Sequence, residues 1–188
     1  MSGRPALFLD RDGIINHDMG YIFRVEDFIF RDGIFELCLA AQQRGMALVM
    51  VTNQAGIGRG FYTEADFWRL TSWMMAQFAS HQIAFAGVEF CPDHPTHGIG
   101  PYRRHSSRRK PEPGMIRDAS IVHGLDVRRS AMIGDRATDM HAAAAADVGL
   151  LLLLAATPDE AAAAPPGTIL LANGALHEAA RIIANTPF

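Results

Sequence analysis

Short, largely apolar runs recur along the chain: Ala6–Leu9, Ala47–Val51, Gly87–Phe90, Ala131–Ile133, Gly149–Leu154 and Ile169–Leu171. Runs this short, without polar alternation, predict strands covered on both faces, as in a parallel sheet. Helical patterns fall between them. One helix is expected over Ile34–Arg44, ended by Gly45. Another is expected over Glu64–His81, where Thr63 offers an N-cap and Glu64 and Asp66 stand in the first turn. In that helix Phe67, Leu70, Met74 and Phe78 fall on one face, the spacing of a core-packing stripe. A third helix is expected between Pro113 and Gly124, a proline-in, glycine-out pattern, and a fourth through the alanines of Ala137–Ala146. Ala161–Pro166 reads as a surface connection before a last strand and helix. Strand and helix alternate throughout, which predicts a single α/β domain over residues 1–188 built on a doubly wound parallel sheet.

In such sheets ligands bind in the crevice beyond the carboxyl ends of the strands. Those ends are polar here. Asp10-Arg11-Asp12-Gly13 follows the first run, Thr52-Asn53-Gln54 the second and Gly134-Asp135 the fourth. Asp10 and Asp12 are two apart and point the same way in extended backbone, so with Asp135 they are expected to form a carboxylate cluster whose repulsion a cation offsets. Carboxylate, carbonyl and water ligands suit Mg²⁺. A single Asp ending a strand is ordinarily a cap or turn residue. Three together, with Thr52 and Lys110 in order between them, read instead as a reaction centre.

Composition narrows the class. With 188 residues, 49% of them hydrophobic and 20% charged, the chain is long enough to bury a core and far from disordered compositions. Two cysteines, Cys38 and Cys91, make no disulfide framework and fit a reducing, cytoplasmic compartment. The longest apolar run, Val148–Ala156, is about half of the roughly 18 to 20 residues a bilayer span needs, so no membrane association is expected. A net charge of −3 argues against nucleic acid, despite the basic run Arg103–Lys110, in which Tyr102 is the only neighbouring aromatic residue. Gly56-x-Gly58-x-Gly60 lacks the spacing of a nucleotide loop and reads as a flexible turn. No heptad or long exposed apolar stripe stands out, so a monomer is expected.

The strand-end elements resemble the four motifs of the haloacid-dehalogenase superfamily. The segments Phe8–Gly13, Asp18–Tyr21, Val51–Gly56, Arg59-Gly60, Arg109–Met115 and Ile133–Asp135 resemble the D-glycero-D-manno-heptose 1,7-bisphosphate 7-phosphatase family and, more distantly, histidinol-phosphate phosphatases. The resemblance covers roughly residues 5 to 155 and implies a Rossmann-like fold without a large cap. It implies that Asp10 attacks phosphorus and that Asp12 is general acid and base. Thr52 and Lys110 would stabilise the transferring group, and Mg²⁺ would sit on Asp10, the Asp12 carbonyl and Asp135. Asp139 could hold a metal-bound water or cap its helix. Asp18, Met19, Gly20 and Tyr21, with Asn53, Gln54 and Ala55, would line the substrate site. Arg109 and Arg136 would hold a second, uncleaved phosphate. Arg103, Arg104 and Arg108 are expected to solvate an exposed loop.

Two departures stand out. Many members of that family carry a zinc loop of Cys-x-His and then Cys-x-Cys before Arg-Lys-Pro. Here Cys91 is retained, Asp93 stands at the His position, and Ser106 and Arg108 stand at the later Cys positions. Cys91, His94, His97 and His105 supply enough ligands for an improvised site, or are simply solvated. Ile14 stands where the superfamily often has Thr. A histidinol-phosphate or other sugar-phosphate phosphatase is the alternative enzyme, and a non-catalytic sugar-phosphate-binding protein is the rival of another class.

Overall fold

The computed structural model describes residues 3–154, 157–172 and 176–188. In chain order the elements are β1 (Ala6–Leu9), α1 (Ile34–Gln43), β2 (Ala47–Asn53), α2 (Ala55–Gly58), α3 (Glu64–Ser80) and β3 (Phe85–Cys91). Then come α4 (Gly114–His123), β4 (Ala131–Gly134), α5 (Ala137–Ala145), β5 (Leu150–Leu154), α6 (Pro158–Ala163), β6 (Ile169–Leu171) and α7 (Leu176–Asn185). All six strands are parallel, in the order β3-β2-β1-β4-β5-β6. This is the doubly wound parallel sheet that the alternation of strand and helix predicts. The chain winds outward from β1 in one direction and from β4 in the other, so the switch point lies between them.

Successive strand residues point to opposite faces, which splits the apolar runs between two cores. Leu7, Leu9, Leu48, Met50 and Ile133 pack on one side with Phe67, Leu70, Met74 and Phe78 of α3, as the stripe predicts. Phe8, Val49, Val51, Met132 and Leu153 pack on the other with Met115 and Ile116 of α4 and Met140 of α5. Helix ends follow local chemistry. Thr63 accepts a hydrogen bond from the Asp66 amide while Asp66 accepts from the Thr63 amide, closing a reciprocal cap on α3. Gly124 ends α4 in the left-handed conformation.

Three expectations are corrected. Coverage on both faces holds for the central strands, whereas edge strand β3 is mostly half-buried and Ile169 and Leu170 of β6 are exposed. The expected connection at Ala161–Pro166 begins inside helix α6, which starts with Thr157 as N-cap and Pro158 in its first turn. The glycine triplet is not a loose turn. Gly56 and Gly58 lie in α2 and Gly60 in the turn that follows it at φ 77°, and a side chain at Gly58 would stand 2.3 Å from the Pro92 carbonyl oxygen. Ala155 and Ala156, the end of the longest apolar run, lie outside the described residues. Among the described residues no helix is long and apolar enough to cross a membrane.

Candidate active site

At the switch point a cavity of about 460 Å³ opens at the carboxyl ends of β1 and β2, with Asp10, Asp12, Thr52 and Lys110 among its walls. Asp10 directly follows β1, and its amide donates to the Ile133 carbonyl of β4, which holds it at the seam of the two half-sheets. Lys110 arrives from the segment before α4 and is buried. Its ammonium lies 2.9 Å from Asp10 Oδ1 and 2.6 Å from Asp139 Oδ1, and it donates to the Val51 carbonyl at 3.0 Å. Asn53 fixes the lysine's backbone twice, donating to the Lys110 carbonyl and accepting from the Lys110 amide, both at 3.1 Å. The lysine is therefore held by all three of its donors and by its backbone.

Asp10, Asp135 and Asp139 each offer a ligand atom, and these atoms all lie within 4.8 Å of one another. Burial pushes Asp10 up to about 7, with Lys110 opposing the rise and Asp139 adding to it. Burial likewise pushes Asp135 up to about 8, with repulsion from Asp10 and Asp139 reinforcing it. Burial alone would lower Lys110, but the two carboxylates hold it above its ordinary value. One ammonium does not balance three carboxylates, and Asp135 Oδ1 is buried without a hydrogen-bond partner. A hard divalent cation fits this donor set. The cradle is tight, since Gly13, at φ 91°, leaves room in which a Cβ would stand 2.3 Å from Asp135 Oδ2.

The expected cluster of Asp10, Asp12 and Asp135 carboxylates is corrected. The chain leaves extended geometry after Leu9, so the Asp12 carboxylate does not join the others. The Arg11 guanidinium grips it at 2.9 to 3.2 Å, and Asn16 and Gln54 donate to it at 3.1 and 3.0 Å. Asp139 takes its place, and it has two functions: Oδ2 accepts from the Arg136 amide at the start of α5 while Oδ1 meets Lys110. Gln54 links Asp12 to Thr52 Oγ1 at 2.8 Å and accepts from the Tyr62 hydroxyl, making one continuous polar chain along the wall.

Asp18, Gly20, Tyr21, Asn53, Gln54, Ala55, Arg109 and Arg136 also line the cavity, whereas Met19 is exposed and does not. Asp18 accepts from the Gly20 amide and lies 3.5 Å from the Arg136 guanidinium, so the segment Asp18–Tyr21 makes a short turn beside Arg136 at the cavity wall. Tyr21 accepts from Arg59 at 2.6 Å. Two arginines expected merely to solvate their loop are committed instead. Arg104 pairs with the buried Asp93 at 3.0 Å, and Arg108 bridges Glu89 and Asp118. Among the described residues the group that could hold a metal is Asp10, Asp135 and Asp139, and Cys91, His94, His97 and His105 do not assemble into another.

Sequence reasoning missed Tyr62 and Glu160. Nothing local marks Tyr62. Glu160, whose carboxylate accepts from the Ala137 amide, stands three residues after Thr157 with Pro158 between, a helix-start spacing that could have revealed both it and α6.

A HAD-hydrolase-like family model matches residues 107–174. The chain is 54% identical over 144 residues to the D-glycero-alpha-D-manno-heptose-1,7-bisphosphate 7-phosphatase of Burkholderia mallei, covering 77% of this chain and 76% of that protein. It is 49% identical over 146 residues to the D-glycero-beta-D-manno-heptose-1,7-bisphosphate 7-phosphatase of Vibrio cholerae, covering 78% of each. In fold it is similar to D,D-heptose 1,7-bisphosphate phosphatase from B. bronchiseptica complexed with magnesium and phosphate, with a TM-score of 0.80, 24% identity and 97% and 99% of the two chains covered. Identity near one half across three quarters of both chains places the protein: it belongs to the heptose-1,7-bisphosphate 7-phosphatase family of the haloacid-dehalogenase phosphatases.

Proposed function

We propose that this chain hydrolyses the 7-phosphate of D-glycero-D-manno-heptose 1,7-bisphosphate through an aspartyl-phosphate on Asp10. The observation that carries this reading is Asp10 at the switch point, bound to a buried lysine and facing two further carboxylates. Asp10 Oδ attacks phosphorus as the bond to the sugar oxygen breaks. Asp12, held beside the cavity by Arg11 and Gln54, gives its proton to that oxygen and then takes one from the water that releases phosphate. Lys110 and Thr52 stabilise the charge on the equatorial oxygens. Mg²⁺ held by Asp10, Asp135 and the Asp12 carbonyl would neutralise charge as phosphoryl is transferred. Asp139 keeps Lys110 in place.

Arg109 and Arg136 at the cavity mouth supply cations for the phosphate that stays on the sugar. The flap from Asp18 to Tyr21 completes the substrate wall through Asp18, Gly20 and Tyr21. The enzyme works as a single-domain monomer in the cytoplasm, in the synthesis of nucleotide-activated heptose for lipopolysaccharide or capsule, with neither nucleic-acid nor membrane partners.

Phosphate release in Mg²⁺, with both heptose bisphosphate anomers and histidinol phosphate at equal concentration, tests the substrate. A heptose bisphosphate is expected to win by about a hundredfold in kcat/KM, roughly 2.7 kcal/mol of transition-state discrimination. Preference for histidinol phosphate, or turnover of neither, would overturn the assignment.

A further inference from the structure

Between β3 and α4 the chain makes a long loop over residues 92–113 that reaches the cavity mouth and delivers Arg109 and Lys110. The neck of this loop is cross-linked by non-covalent pairs. Cys91 is hydrogen-bonded with Ser106, Asp93 pairs with Arg104, and the His94 amide donates to the Tyr102 carbonyl at 3.0 Å. The residues at three of the zinc-ligand positions of the resembling family, Cys91, Asp93 and Ser106, are thus held by pairing with neighbours in the chain.

Asp93 is the unusual member. Its side chain is 3% exposed, and it faces an Arg104 side chain that is 67% exposed. One carboxylate oxygen meets Arg104 Nε at 3.0 Å, and the other is buried without a hydrogen-bond partner. A carboxylate buried this deeply is costly unless a cation compensates it, so the ion pair fixes where the backbone at residue 93 sits. That backbone has a direct task, because the Asp93 carbonyl accepts from Arg109 Nη1 at 3.0 Å. The guanidinium of Arg109 is planar and rigid, so one anchored nitrogen sets the direction of the remaining donors of a residue that lines the cavity.

We propose that the Asp93–Arg104 ion pair is a positioning device for Arg109, and through it a determinant of selectivity for substrates that carry a second phosphate. The inference rests on the reading of Arg109 given above. The ion pair holds the Asp93 carbonyl, the carbonyl holds one edge of the guanidinium, and the free edge meets the uncleaved phosphate in a paired arrangement. Neither Asp93 nor Arg104 lines the cavity, so neither touches substrate.

The test compares heptose 1,7-bisphosphate with heptose 7-phosphate, which lacks the second phosphate, in wild type and in Asp93→Ala, Arg104→Ala, Arg104→Lys, Arg109→Ala and the Asp93→Ala/Arg109→Ala double variant. Circular dichroism and melting establish that each variant folds, and the exposed Arg104 gives a variant that does not open the core. Asp93→Ala and Arg104→Ala are expected to raise KM for the bisphosphate about tenfold with kcat within about twofold, leaving the monophosphate unaffected. Arg104→Lys should recover most of the loss, and Asp93→Ala should add nothing once Arg109 is gone. Unchanged KM in both single variants, or equal losses on both substrates, would overturn the proposal. If Arg109→Ala raises KM while Asp93→Ala and Arg104→Ala do not, this inference alone falls. If Arg109→Ala leaves the bisphosphate untouched, the reading of Arg109 falls and takes the inference with it.

Discussion

Replacing Asp10 with Asn should abolish turnover and, in metal-free protein, stabilise the fold. The substitution keeps the shape of the side chain and removes the oxygen proposed to attack phosphorus, so activity is expected to fall by at least about a thousandfold. Stability runs the other way because Asp10 is buried among Asp135 and Asp139. Burial raises its pKa from 3.8 to about 7. A carboxyl raised in this way contributes stability that is fully present below the unfolded value of 3.8 and is lost as pH rises through about 7. Asn has no such loss. At about 1.4 kcal/mol per pH unit, the wild type should lose roughly 3 kcal/mol relative to the variant between about pH 5 and pH 8. Lys110 is not orphaned by the change, since Asp139 at 2.6 Å and the Val51 carbonyl at 3.0 Å remain. Urea denaturation in chelator at the two pH values reads the difference, with phosphate release measured alongside. Saturating Mg²⁺ should narrow or reverse it, because a cation at a hundred times its Kd adds about 2.7 kcal/mol to the form that binds it. A stability gap that does not widen with pH, or more than about a tenth of wild-type turnover, would refute the reasoning.

Lys110→Met keeps the apolar stem and removes the charge that holds Asp10 and Asp139 together. Losing one partner of a buried ion pair is expected to cost about 3 to 5 kcal/mol in metal-free protein above neutral pH, and a urea-derived loss below about 1 kcal/mol would contradict that electrostatic account. Where α7 meets α1, His177 is hydrogen-bonded with Glu36 and also meets Asp32, and these carboxylates raise its pKa. The stability it adds is fully present below its unfolded value of 6.5 and is lost as pH rises through the raised one. Wild type should therefore melt above His177→Asn by more at about pH 5.5 than at about pH 8.5, and an equal margin at both would exclude this contact as a source of stability.

Much of the fold is legible in short-range pattern because the sheet centre is covered on both faces. The bounds of β1 and β6 match the apolar runs, and α3 and α4 follow from Thr63, Pro113 and Gly124. The pattern fails where coverage is decided by topology. In Gly87–Phe90 only Glu89 hints at incomplete coverage, and that β3 is an edge strand depends on where β2 and β3 pair. The basic loop fails for the same reason. Arg104 and Arg108 look like solvated cations until Asp93, Glu89 and Asp118 are brought beside them.

Asp10 and Asp12 show most clearly why an element can be recognised while its geometry is misread. Two-residue periodicity places both carboxylates on one side, but the period belongs to extended backbone, and the chain turns after Leu9. Gly13 and Asn16 close that turn through a hydrogen bond from the Gly13 amide to the Asn16 carbonyl at 2.8 Å. The turn gives two chemically identical groups different partners. Asp10 faces a buried ammonium and two carboxylates, a setting for a nucleophile beside a cation. Asp12 faces a guanidinium and two side-chain amides, which fix the direction of its oxygens without drawing it into the cluster. A strictly extended Asp-x-Asp segment would set both acids in the same field, and the separate roles proposed for them, nucleophilic attack and proton transfer, would have no structural basis.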